Sequence, residues 1–344
     1  MLPYLSNRPP AFAFLTHYRD ARDLDRIGAA AFLRRYSDGE ASFRQKMCSF
    51  PPIVCGEITV GFGALRGEVV VVMRMPDEVL GPGGERAVAD GLGVVLRRGA
   101  SVVGLGALTA PATAGGRRLL RYLPPGVTLT NANAYTAAVV RRNVEEAAAV
   151  LGKGPGARVG VIGCTGSVGV PASRLLAGDG YDLVLVGRTG ARVRSRLPQL
   201  AGRARVAAGL DSVADCDVVV LLTADATARL EPHHVAAGAV VIDVAQPGNV
   251  DPSAYGQFRA RGAVVVEGGL VRIPGYRCTV DMGMPDPGDT AACVAESYLF
   301  AREGIREHSV GYPEPELAER LERVALRRGI HPRPLDLPGG RGAI

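Results

Sequence analysis

A cysteine and a run of glycines are the residues whose types and spacing predict chemistry. Cys293 lies in the stretch DTAACVAESYLFAREG, residues 289–304. Asp289 or Thr290 can cap the helix predicted there, which would place Cys293 in its first turn, where the helix dipole and unpaired N–H groups favour a thiolate. A thiolate attacks acyl carbons readily. The alternative is that Cys293 is a small buried hydrophobic residue of an alanine-rich helix.

The glycine run is GCTGSVG, between a segment predicted as a strand and one predicted as a helix. There Gly163 permits a tight turn, Gly166 lets backbone N–H groups approach a pyrophosphate, and Gly169 lets the helix pack closely on the sheet. This setting predicts a dinucleotide site rather than a plain structural turn. Cys164 is a rival thiol, but it would point toward the cofactor phosphate rather than the nicotinamide. The predicted site comprises Gly163, Thr165, Gly166, Ser167, Val168 and Gly169.

The end of the next predicted strand indicates which dinucleotide binds. An NAD site places an acidic residue there, which accepts a hydrogen bond from the ribose 2′-hydroxyl. This sequence has Arg188 and Thr189 instead. A guanidinium favours a 2′-phosphate, and Thr189 could be a second donor, so the predicted cofactor is NADP(H). The alternative is that Arg188 points to solvent.

Other reactive residues exclude several kinds of site. The six cysteines include no C-x-x-C pair or His/Cys cluster, so no metal site is predicted. No Tyr-x-x-x-Lys pair exists, because Ser42 precedes Lys46 and Ala149 precedes Lys153 at that spacing. His17 ends the first predicted strand and could face a cleft, which makes it a candidate for substrate or oxyanion binding.

The pattern of apolar segments predicts the elements that position these residues. From Arg158 to Glu267, short apolar strands alternate with helix-length segments, which indicates a doubly wound parallel sheet, a Rossmann domain. Before it, strands at Ala11–Thr16, Glu57–Val60, Glu68–Val72 and Ser101–Leu105 interleave with helices at about 20–36 and 76–98. We therefore expect an α/β fold with an N-terminal α/β substrate domain (1–132), a connecting helix and Rossmann NADP(H)-binding domain (133–275), and a C-terminal helical segment (276–344) that carries the cysteine.

Composition limits where the protein works and what it binds. The chain has 344 residues and is 47% hydrophobic, enough for more than one core. The first twenty residues lack the features of a signal peptide, no spanning helix is predicted, and the scattered cysteines suit a reducing cytoplasm. The formal net charge is +6 and all but two of the basic residues are arginine, which suits phosphates or acidic partners. Aromatic residues are only 5% and no nucleic-acid motif is present, so nucleic acid is not an expected partner.

Over nearly its whole length the sequence resembles the long-chain fatty acyl-(acyl-carrier-protein) reductase family. The match at the cysteine is the most specific, because AACVAE resembles the family's F-A-C-F-A-E and carries its acyl-accepting cysteine onto Cys293. TLTNANAYTA resembles T-T-G-N-T-H-T-A, with Thr130 in place of a glycine and Asn133 in place of a histidine. The further matching segments are SFPP at 49–52, EITV at 57–60, GLGALTA at 104–110, GCTGSVG at 163–169 and EGGLV at 267–271.

The resemblance implies NADPH-dependent reduction of an acyl thioester to an aldehyde through an acyl-enzyme on Cys293. The implied partner is an acyl carrier protein that delivers the thioester. Acyl-CoA is an alternative donor, and an aldehyde-consuming enzyme is an implied downstream companion. Asn131, or backbone N–H groups at the helix start, are candidate oxyanion donors. Glu296 shares a helix face with Cys293 and is a further site candidate without a firm role.

Three other functions remain open at this point. One is an NADP-dependent dehydrogenase of shikimate or glutamyl-thioester-reductase outline that acts on a small substrate. Another is a non-catalytic NADP(H)-binding protein, and the third is acyl transfer on the cysteine without hydride chemistry.

Overall fold

The computed structural model describes residues 8–61, 64–225 and 227–338. The chain divides into two compact units. The first unit consists of Met1–Ala132, Val271–Gly311 and Val324–His331, and the second consists of Asn133–Leu270, Tyr312–Arg323 and Pro332–Ile344. Residues 276–344, which we expected to form one C-terminal segment, are therefore divided between the two units.

The first unit is built on a mixed sheet whose central strand is wholly buried. Its elements up to residue 130 are β1 (Phe12–His17), α1 (Ala21–Arg26), α2 (Gly28–Arg35), α3 (Glu40–Ser49), β2 (Ile53–Val60), β3 (Leu65–Val72), α4 (Pro76–Leu80), α5 (Gly84–Arg98), β4 (Val102–Leu105), α6 (Thr109–Ala112) and β5 (Thr128–Thr130). These strands lie in the order β2-β3-β1-β4-β5, and only the β2/β3 pairing is antiparallel. Every residue of β1 is buried, as expected for a parallel strand covered on both faces.

Two long helices predicted in this unit are each divided into two shorter helices. The segment predicted as one helix at 20–36 is interrupted at Ile27, which is extended and buried, so that α1 ends and α2 begins. The segment predicted at 76–98 is interrupted between α4 and α5 by Gly81, Pro82 and Gly83. Gly83 has φ +81°, a left-handed conformation that favours glycine.

The second unit is the predicted doubly wound domain. Its main elements are α7 (Asn133–Val150), β6 (Arg158–Ile162), α8 (Gly169–Gly178), β7 (Asp182–Val186), α9 (Gly190–Arg196), β8 (Arg205–Ala207), β9 (Val218–Leu221), β10 (Val240–Asp243), α10 (Tyr255–Ala260) and β11 (Val264–Glu267). The strand order is β8-β7-β6-β9-β10-β11 and every pairing is parallel. This is the 3-2-1-4-5-6 order, which reverses between β6 and β9 and leaves a crevice beyond the carboxyl ends of those strands. The predicted α/β fold with a Rossmann domain is confirmed.

The C-terminal part of the chain supplies the helix that carries Cys293. Its elements are β12 (Leu270–Arg272), β13 (Arg277–Cys278), β14 (Asp289–Ala291), α11 (Ala292–Arg302), α12 (Pro315–Arg327) and β15 (His331–Pro332). Strand β13 pairs antiparallel with β2, and β14, β12 and β15 form a small sheet in that order. Helix α11 packs on β1 and β4. A Cβ at Gly104 would lie 1.8 Å from Oγ of Ser297, so the glycine allows this close approach.

Within the described ranges, no helix is long and apolar enough to cross a membrane.

Candidate active-site thiol and dinucleotide turn

Cys293 is the second residue of α11, so its predicted place in the first turn of a helix is confirmed. The predicted caps are wrong, because Asp289 and Thr290 belong to β14 and the N-cap residue Ala291 makes no side-chain hydrogen bond. Both side chains have other partners. Oδ1 of Asp289 accepts a hydrogen bond from Nε of Arg272 at 2.8 Å, and the hydroxyl of Thr290 donates to Tyr276.

The thiol of Cys293 is subject to opposing effects. The backbone N–H groups of Cys293 and Val294, at the start of α11, act to lower the pKa of the thiol, the direction that the helix position predicted. Burial opposes ionisation more strongly, and the Glu296 carboxylate adds to it, so the pKa of the thiol is raised to about 12. The side chain keeps part of its surface exposed, but protein atoms surround the sulfur densely. The resting form is therefore a thiol, and the predicted thiolate is wrong for the protein alone.

Glu296 is fully buried one helical turn beyond Cys293. One of its carboxylate oxygens, Oε1, accepts a short hydrogen bond from Oγ1 of Thr130. The same hydroxyl accepts from the N–H of Ala132 at 2.9 Å. Thr130 occupies the position where the resembling family has glycine, and here its hydroxyl connects the end of β5 to α11.

The other two predicted substrate or oxyanion candidates in this unit are engaged in structural hydrogen bonds. Nδ2 of Asn131 donates to the carbonyl oxygen of Gly311 at 2.9 Å and the residue is 1% exposed. His17 is also 1% exposed. Its Nδ1 lies 2.7 Å from the carbonyl oxygen of Tyr18 and its Nε2 accepts the N–H of Leu108 at 3.0 Å. Burial lowers the pKa of His17 to about 4, so the ring is neutral. Neither residue offers a group to a substrate in this arrangement.

Sequence reasoning missed a hydroxyl pair, formed by Tyr276 and Thr290, in the segment that leads into α11. Oγ1 of Thr290 donates to Oη of Tyr276 at 3.2 Å. The Tyr276 hydroxyl also hydrogen-bonds with Cys278 and interacts electrostatically with Cys293. Tyr276 stands two residues before Cys278, and this spacing is not a recognisable motif. Its hydrogen bond with Thr290 of β14 depends on how the segment between them folds.

The glycines of the turn in the second unit stand where the backbone leaves little room for a side chain. Gly163 has φ +87°, and a Cβ there would lie 2.7 Å from the backbone nitrogen of Thr223. A Cβ on Gly169 would lie 2.2 Å from the carbonyl oxygen of Gly163, so α8 could not start so close to the turn with a larger residue. At Gly166 the nearest atom to a Cβ would be 3.2 Å away. The close turn requires glycine at Gly163 and Gly169, as the dinucleotide-turn prediction assumed.

The other residues of the predicted turn have defined places. Helix α8 begins at Gly169, and Val168 is its N-cap residue. Oγ of Ser167 accepts a hydrogen bond from Nδ2 of Asn133 at 2.8 Å, which fixes the turn to the start of α7. Thr165 is 9% exposed. Cys164 is fully buried and burial raises the pKa of its thiol to about 12, so it is not available as a rival nucleophile.

Arg188 and Thr189 follow β7 and are both exposed at the carboxyl end of the sheet. Oγ1 of Thr189 accepts from the N–H of Arg192 at 3.2 Å and so caps α9. Hydrogen bonds from Thr227 lower the pKa of Asp225, a residue that follows β9, and the guanidinium of Arg188 adds a smaller effect. No acidic residue occupies 187–189, where an NAD site would have one.

One group of side chains in the second unit has the composition of a metal site. Among the described residues, Asp211, His233 and His234 bring ligand atoms within 4.8 Å of one another. However, Nδ1 of His234 accepts the N–H of Glu231 at 3.0 Å, so in the neutral ring Nε2 carries the proton and offers no lone pair to a metal.

Both lysines are tied to surface partners. Nζ of Lys46 donates to the carbonyl oxygen of Tyr36, and Nζ of Lys153 lies 2.6 Å from Oδ1 of Asp217. A lysine placed for proton transfer or Schiff-base chemistry would need a buried or cleft position.

No family model matches the chain. It is 27% identical over 267 residues to aminotransferase PigE of Serratia sp. (strain ATCC 39006), a match that covers 73% of this chain and 30% of that protein. The chain thus spans less than a third of the curated relative. Among solved structures, it is similar to shikimate dehydrogenase from Aquifex aeolicus with 12% identity and a TM-score of 0.43 over 93% of this chain and 100% of the other. The Entamoeba histolytica malic enzyme matches with 13% identity and a TM-score of 0.48 over 96% of this chain and 66% of the other.

Proposed function

We propose that the protein is an NADPH-dependent oxidoreductase that reduces an acyl thioester to an aldehyde through an acyl-enzyme on Cys293. The observation that carries the proposal is the place of Cys293 as the second residue of α11, where the N–H groups of the helix start act to lower the pKa of its thiol. The same chain has a glycine turn shaped for a dinucleotide phosphate. The resemblance of AACVAE to the family's acyl-accepting segment supports the same chemistry.

The residues proposed to hold the cofactor are the turn from Gly163 to Gly169 and the exposed Arg188. The start of α8 would receive the pyrophosphate, because helix N-termini attract anions. A guanidinium at the end of β7 would pair with a 2′-phosphate, and the absence of an acidic side chain at 187–189 favours NADPH over NADH. When bound, NADPH supplies the hydride that reduces the acyl carbonyl.

The proposed acyl transfer takes place at the sulfur atom of Cys293. In acyl transfer the Cys293 S–H bond and the thioester C–S bond break, a C–S bond to Sγ forms, and the leaving thiol takes the proton. Because the pKa of Cys293 is raised to about 12, little thiolate exists before substrate arrives. The nearby Glu296 carboxylate contributes to that suppression. We propose that the site therefore keeps its nucleophile protonated, and so protected from oxidation, until an acyl thioester lies against it.

The proposed acyl donor is a thioester on an acyl carrier protein, with acyl-CoA as the alternative. The arginine-rich composition and net charge of +6 suit an acidic carrier. The matched relative is named an aminotransferase, a class of enzyme that consumes carbonyl compounds, so an aldehyde product would suit a companion of that class. Aminotransferase chemistry itself is not proposed for this chain, because PLP-dependent enzymes bind their cofactor through a lysine and both lysines here pair with surface groups.

Intact-mass analysis tests the covalent step. After the protein is mixed with an acyl-carrier thioester without NADPH, we expect a mass gain of one acyl group in the wild type and none in Cys293→Ala. Addition of NADPH should discharge the acyl group as aldehyde. Reduction that persists in Cys293→Ala, or turnover of a small polar substrate without a carrier, would instead support a shikimate-type dehydrogenase. If Cys293 is acylated but NADPH does not discharge the acyl group, the result would support acyl transfer without hydride chemistry. If the protein binds the cofactor but is not acylated, the result would support a non-catalytic NADP(H)-binding protein.

A further inference from the structure

Tyr276 is a buried residue with no part in the acyl transfer proposed for Cys293. It is 7% exposed and lies in a turn before β13, where its N–H donates to the carbonyl oxygen of Ile273 at 3.1 Å. Gly275 of this turn has φ +67°, a left-handed conformation that favours glycine. The phenol group reaches Thr290, three residues before Cys293, and is close enough to the Cys293 sulfur to interact with it electrostatically. The hydroxyl is thus hydrogen-bonded to a residue of β14, the strand that leads directly into α11 and the proposed nucleophile.

The hydrogen bond from Thr290 determines what the phenol can do. Because Oγ1 of Thr290 donates to Oη of Tyr276 at 3.2 Å, the phenolic hydrogen points away from Thr290. In the resting protein its partner is the sulfur of Cys278, a weak acceptor. Burial raises the pKa of Tyr276 far above its usual value, so the hydroxyl keeps its proton throughout the pH range of enzyme activity. It is a poor base and a permanent donor.

We propose that the hydroxyl of Tyr276 donates a hydrogen bond to the oxyanion that forms on the acyl carbon when the Cys293 sulfur attacks it. Thr290 is then a positioning residue that directs the phenolic hydrogen. The inference rests on the proposed function, and it names the oxyanion donor that Asn131 cannot provide because its amide is engaged with Gly311. An oxyanion attracts a donor more strongly than the thiol of Cys278 does, so the hydrogen bond can pass to it without movement of the backbone.

The test compares two reactions of the same sulfur. Acylation of Cys293 by p-nitrophenyl acetate breaks the ester C–O bond through a tetrahedral oxyanion and releases p-nitrophenolate. Alkylation by iodoacetamide displaces iodide from a saturated carbon and forms no oxyanion. Both rates are followed at Cys293 by peptide mass spectrometry, with Cys293→Ala as the blank. Neither reaction needs the cofactor or the carrier, so the result is separate from the success or failure of thioester reduction.

We expect Tyr276→Phe to slow acylation by about 10²- to 10³-fold, the usual effect of removing one oxyanion donor, and to leave alkylation within about threefold. Tyr298→Phe is the matched control, because Tyr298 is also 7% exposed and lies on α11, and it should leave both rates unchanged. Thr290→Val should slow acylation by a smaller factor, and Cys278→Ala should not slow it.

Equal slowing of both reactions by Tyr276→Phe would show a packing role and overturn the proposal. An unchanged acylation rate would overturn it as well, and so would a wild type that does not acylate at Cys293. If the ester experiment succeeds and thioester reduction by NADPH does not occur, the proposed function fails while the role of Tyr276 as oxyanion donor holds.

Discussion

Burial of Cys293 suppresses the ionisation of its thiol. Its pKa of about 12 means that the thiolate fraction is far below one per cent at neutral pH. We therefore expect the rate of Cys293 alkylation by iodoacetamide to rise about tenfold per pH unit from pH 7 to pH 10 without a plateau. Quantitative peptide mass spectrometry measures this rate. A plateau near pH 8 or 9 would show that the N–H groups at the start of α11 outweigh burial, which would contradict the account given for this thiol.

Arg188 is the residue that should determine cofactor preference. Its exposed guanidinium follows β7, and a hydrogen-bonded pair with a phosphate is worth about 2 to 3 kcal/mol. We expect Arg188→Ala to raise the Kd for NADPH by about 30- to 100-fold and to leave that for NADH within twofold, as measured by isothermal titration calorimetry. Arg203→Ala changes another exposed arginine of the same unit and should have no effect. Equal weakening of both cofactors would assign Arg188 to the pyrophosphate or to folding instead.

At the level of elements, the junction of the glycine turn with α8 provides a matched pair of substitutions. A Cβ on Gly169, at the start of the helix, would lie 2.2 Å from a backbone oxygen, whereas one on Gly178, at its end, would have no atom within 4 Å. We expect Gly169→Ala to lower the free energy of unfolding by at least about 2 kcal/mol and to abolish NADPH binding. Gly178→Ala should raise stability by about 0.5 to 1 kcal/mol and leave binding unchanged. Denaturant unfolding and calorimetry give both quantities, and similar effects at the two positions would contradict the close-packing argument.

The contact between the end of β5 and α11 is the second element-level feature with a testable consequence. The hydroxyl of Thr130 donates to the buried Glu296 carboxylate and accepts the N–H of Ala132. Thr130→Val keeps the shape but removes the hydroxyl, so we expect a loss of about 2 to 3 kcal/mol in the free energy of unfolding. Thr130→Ser keeps the hydroxyl and should lose less than about 1 kcal/mol. If valine and serine are equally tolerated in denaturant titrations, the hydroxyl bond does not stabilise the unit.

The elements also show how far the sequence could predict this molecule. Continuous apolar runs between turns predicted five of the six parallel strands of the second unit, because such strands are buried on both faces. The edge strand β8 was not predicted, since it is short and partly exposed. The position of Cys293 in its helix followed from its local sequence. Helix α3 was not predicted, since its buried residues Phe43 and Met47 form only a short apolar stripe. The engagement of His17 by Leu108 and the pairing of Tyr276 with Thr290 depend on contacts between distant segments, which local patterns do not reveal.

For the whole molecule, the two units carry buried titratable groups whose effects on stability have opposite signs. In the first unit, the pKa of His17 is lowered from 6.5 to about 4, because burial disfavours the imidazolium. In the second unit, the pKa of Asp243 is raised from 3.8 to about 6, because burial of the carboxylate outweighs hydrogen bonds from the N–H groups of Ala245, Asn249 and Val250. Each shift corresponds to about 3 kcal/mol. The stabilising contribution of neutral His17 is present above pH 6.5 and is lost as pH falls toward 4, whereas that of Asp243 is present below pH 3.8 and is lost as pH rises through 6.

Acidification from pH 6.5 to pH 4.5 should therefore weaken the first unit through His17 and strengthen the second through Asp243. Hydrogen exchange followed by mass spectrometry, corrected for intrinsic rates, reports the two units separately through their own peptides. Because other groups also titrate, the comparison is made against variants. His17→Gln should reduce the loss of protection in peptides of β1 and α6, and Asp243→Asn should reduce the gain in peptides of β10 and the segment after it. If a variant does not change the pH response of its own unit, the buried group that it replaces is not the cause of that response. If a variant changes the pH response only in the other unit, the assignment of the two effects to separate units is contradicted.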